Sequence, residues 1–218
     1  MSSTIGRYAV RIRGQFACFT RPEFKTERLS YEVLTPSAAR GVLEAIFWKP
    51  AIFWHVRQIR LLAPVRFVQF KRNEVNSRAP TLKAATANRS GGGIDSYFAD
   101  EDRAQRNTLA LRDVDYAVEA EMVMTARAGS ADNARKFDEM FQRRLARGQF
   151  HMQPYLGCRE FPAIVEPYHG DPTPLVQETR DLGYMLHDIR FGEPRNEAVF
   201  FRARIEKGVI EVPEWRVA

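Results

Sequence analysis

The chain has 218 residues, 44% of them apolar and 28% charged, a balance that builds a globular core and excludes a mostly disordered protein. Lys and Arg outnumber Asp and Glu by 33 to 27, and the resulting charge of +6 favours a polyanionic partner without specifying one. The two cysteines, Cys18 and Cys158, share no CxxC spacing, which excludes a disulfide framework and a cysteine-rich zinc site and fits a reducing compartment.

Read in chain order, the opening MSSTIGRYAV lacks the apolar h-region of a signal peptide, and no later run reaches the roughly 20 apolar residues of a membrane span, so a cytoplasmic location is expected. From Arg7 to Phe19, Tyr8, Val10 and Ile12 alternate with Arg7, Arg11 and Arg13, the period-two pattern of a half-buried strand with one basic face. Thr35-Pro36 predicts a helix start, since Thr caps free amides and Pro is tolerated at the first helical position; the helix should run to about Trp48 and stop at Pro50. Residues 52 to 70 are rich in Val, Ile, Phe and Trp and read as a strand or hairpin interrupted by Pro64.

Residues 71 to 111 lose periodicity, carry Gly91-Gly92-Gly93 and are mildly basic, which predicts a long, mobile, functional insertion. Alternation returns from Leu109 to Met124. A second helix is expected from Ser130 or Asp132 to just before Gly148, with Ala134, Phe137, Phe141 and Leu145 on its inner face. Residues 157 to 165 read as the last strand of the main domain, and the runs 184–189, 198–205 and 209–212 as a small C-terminal antiparallel sheet. The fold class expected is therefore α+β, a ferredoxin-like (RRM-like) β-α-β-insertion-β-α-β domain over residues 1–165, with a small β domain over 166–218.

Motif chemistry narrows the function. The RNP1 string of a standard RRM is absent. The four histidines, His55, His151, His169 and His187, have no metal-ligand spacing, and Asp100-Glu101-Asp102 is the sole acidic run, better read as a solvated loop. No metal and no cofactor are expected. RNA can be cut without a metal when its own 2′-hydroxyl attacks the adjacent phosphate, given a base, an acid and a cation, which Lys, His and Tyr can supply.

The segments FTRPEFKTERLSYEVLTPSAARGVLEAIFWKP (19–50), KRNEV (71–75), LRDVDY (111–116), LGCREFPA (156–163) and DLGYMLHDI (181–189), in this order, resemble the type I-C (Dvulg) subtype of CRISPR-associated proteins in the RAMP superfamily. The resemblance implies a basic hairpin insertion. It also implies a metal-independent endoribonuclease that binds the CRISPR repeat stem-loop, cuts precursor RNA and stays on the 5′ handle of the guide beside the other subunits of the type I-C interference complex. Double-stranded DNA binding is attributed to some members. Members that cut carry a Tyr just before the Trp-Lys-Pro string and a Lys-His pair opening the second helix. Here Phe47 precedes Trp48-Lys49-Pro50, and Lys136 is followed by Phe137, so only Lys136 matches the catalytic set.

Phe47 and Phe137 cannot move protons, and Phe137 fits the apolar stripe of its helix, which opens the alternative of a non-catalytic subunit capping the guide. In a chain that cuts, His151 or Tyr31 would have to supply the missing proton-transfer group. Arg11, Arg13, Arg21, Lys25, Arg40, Lys49, Lys71, Arg72 and Arg89 are the cations expected to form the RNA-facing surface, because phosphate binding needs several positive charges close together.

Overall fold

Alternation along Tyr8, Val10 and Ile12 makes β1 (Thr4–Ala17), a 14-residue strand whose Val10 and Ile12 are fully buried. The computed structural model describes residues 3–24, 26–77, 89, 98–171, 175–192 and 195–214. After a two-residue β2 (Arg28–Leu29), Thr35 caps α1 (Pro36–Ile46) by accepting the Ala38 amide on its Oγ at 3.2 Å, with Pro36 at the first helical position. The helix ends two residues before the expected Trp48, because Phe47 is extended and turns its side chain into the core.

The apolar run after Pro50 divides into β3 (Ile52–Leu61) and β4 (Phe67–Val75), with Pro64 in the connection. The 22-residue β5 (Arg103–Met124) starts well before the alternation at Leu109, since β4 pairs antiparallel with its first half from Val75↔Arg103 to Phe67↔Leu111. Much of the aperiodic region is thus a hairpin; residues 78–88 and 90–97, with the triple glycine, lie outside the described residues. α2 (Ala134–Ala146) is capped by Asn133, whose side chain accepts the Arg135 and Lys136 amides, rather than by Ser130 or Asp132.

The main sheet runs from β6 (Ile164–Pro167) through β1, β5 and β3 to β9 (Val209–Glu211), with β2 and β4 also paired to β5. Its last edge strand, β6 (Ile164–Pro167), is shorter and later than the expected 157–165 strand. Both helices pack on the face carrying Tyr8, Val10 and Ile12, where Tyr8, Trp54 and Phe141 meet at ring-centroid distances of 4.6 to 5.6 Å. β7 (Arg180–Arg190) and β8 (Glu197–Ile205) pair with each other. β9 (Val209–Glu211), expected beside them, instead pairs with β3 and extends the main sheet.

The opposite face of the main sheet is a lattice of cross-strand ion pairs. Arg7 meets Glu119, Arg11 forms a two-point pair with Asp115 (2.9 and 2.6 Å) and reaches Glu166, Arg13 also reaches Glu166, Arg57 meets Glu121 and Arg60 meets Glu119. Each exposed pair contributes less than about 1 kcal/mol, but together they neutralise a surface that the sequence of β1 alone presents as basic.

Candidate nucleic-acid interface and active site

The C-terminus of α1 carries carbonyls with no partner inside the helix. Two other segments supply donors. The amides of His151 and Met152 bond the Ala45 carbonyl at 2.8 and 3.3 Å, and Arg144 on α2 donates Nη1 to the Ile46 carbonyl at 2.8 Å. This fixes the backbone of exposed His151 at the end of α1; Trp48 and Lys49, which follow that helix, are exposed as well.

Phe47 and Phe137 occupy the core. Both are under 5% exposed, their rings lie 5.8 Å apart, and the Arg144 guanidinium sits 5.5 Å from the Phe47 ring centroid. Lys136, one residue before Phe137, is exposed on the flank of α2. With Met140, Arg143 and Arg147 it forms a stripe at i, i+4, i+7 and i+11, and among the described residues none of these three cations has a carboxylate within salt-bridge distance. That spacing is readable in the sequence, yet the stripe gains meaning only once α2 is placed against the end of α1. Tyr31 is 2% exposed, with Arg21 4.4 Å over its ring, and burial raises its pKa, so it faces no substrate.

The other expected cations scatter. Arg11 and Arg13 belong to the ion-pair lattice. Arg40 makes a two-point pair with Asp188 and another with Glu44. Arg21 reaches Glu23 at 3.9 Å. Lys25 lies outside the described residues; Arg89 is exposed, with its neighbours also outside them. Lys49 and Lys71 are exposed, with no carboxylate partner among the described residues.

Arg72 organises the base of the β4–β5 hairpin. It pairs with Glu160 and stacks 5.1 Å over Phe161, while Arg28 meets Glu160 at 3.0 Å and Cys158 Sγ at 3.3 Å. Gly157 is obligatory in this loop: its φ is +82°, and a Cβ would approach the Cys18 carbonyl oxygen to 2.0 Å. Burial pushes the Glu160 carboxyl up, but a backbone hydrogen bond, Arg72 and Arg28 outweigh it and hold the group below its usual range. Glu160→Ala is expected to cost about 1 kcal/mol, the pairs being partly exposed, and to speed amide exchange in β4 without changing exchange in α1.

Among the described residues, no three His, Cys, Asp or Glu side chains are grouped as a metal site, and no helix is long and apolar enough to cross a membrane.

The whole chain is similar to known proteins. A protein named CRISPR pre-crRNA endoribonuclease Cas5d from Mannheimia succiniciproducens is 47% identical over 216 residues, covering 95% of each chain. One of the same name from Thermus thermophilus is 43% identical, covering 96% of this chain and 92% of its own. Two solved structures share the fold: a CRISPR-associated protein (TM-score 0.71, 21% identity, 98% of this chain and 95% of the other) and a chain of a CRISPR RNA-guided surveillance complex (TM-score 0.52, 15% identity, 95% and 91%). The family model Cas_Cas5d, described as CRISPR-associated protein (Cas_Cas5), matches residues 8–213, and the chain belongs to that family.

Proposed function

We propose that this protein is a pre-crRNA endoribonuclease that binds the CRISPR repeat stem-loop, cuts it without a metal, and remains on the 5′ handle of the guide within the interference complex. The observation that carries the reading is the docking of the His151 and Met152 amides and of Arg144 from α2 on the C-terminus of α1, in a chain 47% identical to a relative of that name. The 2′-oxygen attacks the adjacent phosphorus, the bond to the leaving 5′-oxygen breaks, and the products are a 2′,3′-cyclic phosphate and a 5′-hydroxyl. His151 exchanges the proton with the reacting oxygens, and Lys136 stabilises the charge gathering on the phosphoryl oxygens.

The β1-α1-β3-β5-α2-β6 order, with both helices on one face, supports a ferredoxin-like RAMP domain, with the β7–β8 hairpin as a C-terminal appendage. RNA would not lie across the open sheet face as in an RRM, because that face is self-neutralised. It would instead follow Lys49, Lys136, Arg143 and Arg147, with Lys71 on the hairpin. Lys136→Ala is expected to slow cleavage of repeat RNA about 10²-fold while affinity falls far less. A wild-type rate in single-turnover assays would remove Lys136 from catalysis.

The burial of Phe47 and Phe137 favours a second reading, a guide-capping subunit that binds without cutting. Tight binding of repeat RNA without cleavage distinguishes it.

A further inference from the structure

A cleft of about 230 Å³ opens beside the α1 C-terminus, between the end of α2 and edge strand β6. It is smaller than the roughly 300–1,000 Å³ sites of drug-sized ligands, which suits one flat ring system. Ile46, Leu145, Ala163 and Val165 form apolar walls, Phe150 and Ile164 remain 48% and 50% exposed at its mouth, and Arg144 and Gln149 supply the polar groups; among the described residues none that lines it is acidic. Gly148, at φ +61° just past α2, lets the chain turn back so that Phe150 reaches the mouth.

We propose that this cleft receives a single unstacked nucleobase of the bound RNA, stacked on Phe150 and Ile164, with Arg144 holding an adjoining phosphate. The inference rests on the RNA-binding reading above and adds a base-holding subsite to it. Charge selects the occupant. Arg144 lies in the cleft wall, while Arg143 and Arg147 continue the cationic stripe from Lys136 along the same helix, so a polyanionic strand crossing that stripe passes the cleft. An exposed aromatic ring beside a fixed guanidinium is the combination that holds unstacked bases. Arg144 is already fixed by the Ile46 carbonyl and the Phe47 ring, so little order is lost when it meets phosphate. A peptide strand added to β6 fits less well, because β6 has four residues and ends in Pro167, which lacks an amide proton.

The test uses the full-length protein and the repeat RNA of its own CRISPR array, intact and with single abasic sites scanned through it. Phe150→Ala should weaken binding of intact RNA about tenfold. One abasic position should weaken wild-type binding equally and abolish the effect of the substitution. Phe150 is half exposed, so its truncation spares the core, and thermal unfolding of the variant verifies this. If Phe150→Ala lowers affinity by the same factor for every abasic RNA, or not at all, no base occupies the cleft and the proposal fails alone. If the wild-type protein does not bind repeat RNA, both this proposal and the reading beneath it fail.

Discussion

Replacing His151 with Ala is expected to slow cleavage of repeat RNA by roughly 10²- to 10⁴-fold and leave affinity nearly unchanged. The resemblance implies proton-transfer groups at the positions held here by Phe47 and Phe137, which are buried against each other and carry no titratable atom. His151 is the exposed imidazole whose backbone is tied to the end of α1 next to them. His55 and His187 instead line a recess with Pro36 and Arg40, towards the start of a helix about 16 Å long. Single-turnover rates and filter-binding affinities, measured side by side for wild type and variant, separate the catalytic effect from a binding one. His151→Gln, which keeps a polar side chain but cannot take up a proton, should fail equally.

Asp188→Ala is expected to produce the largest loss of stability, about 3–5 kcal/mol, or roughly 10 °C in melting temperature. Arg40 donates Nε and Nη2 to the two Asp188 oxygens at 2.7 and 2.6 Å, and its Cζ lies 5.4 Å from the Phe53 ring centroid. Asp188 is 5% exposed and Arg40 17%. Removing the carboxylate leaves a largely buried guanidinium with Glu44 as its remaining carboxylate partner within salt-bridge distance among the described residues, and it cuts the polar link between α1 and β7. The double substitution Arg40→Met with Asp188→Leu should recover most of the loss, because an apolar pair carries no uncompensated charge. Thermal unfolding of the three variants decides this. A loss under 1 kcal/mol for Asp188→Ala would mean that the buried pair carries little of the docking.

Much of the fold was legible because local signals coincide with tertiary need. Thr35-Pro36 marks the start of α1, alternation marks β1 and the second half of β5, and the Phe137, Phe141, Leu145 stripe marks the buried face of α2. The first half of β5 was not legible. Along the hairpin, polar residues occupy both faces of Phe67–Val75 and Arg103–Asn107, so pairing leaves no apolar period to read. The three residues of β9 carry no information on whether they join β7–β8 or β3. For the site, the family resemblance points to Lys136 and leaves His151 and Tyr31 as alternatives for proton transfer. The sequence cannot show that Arg11 meets Asp115 and Glu166, 104 and 155 positions away, or that Arg40 meets Asp188. A charge counts as phosphate-binding only after its neighbours are known, and the arginines of β1 and α1 are already partnered. The cleft beside β6 was equally hidden, since its walls come from α1, α2, the loop after α2 and an edge strand.

The central claim is a metal-free cut driven by the RNA's own 2′-hydroxyl. Its most direct test is to incubate the protein in EDTA with labelled repeat RNA, and with the same RNA carrying a single 2′-deoxy nucleotide at the cut site. Both RNAs should bind alike, the first should be cut to a 2′,3′-cyclic phosphate end and the second should stay intact. Cleavage of the 2′-deoxy RNA at the same rate, or tight binding of the all-ribose RNA with no cleavage, would contradict it.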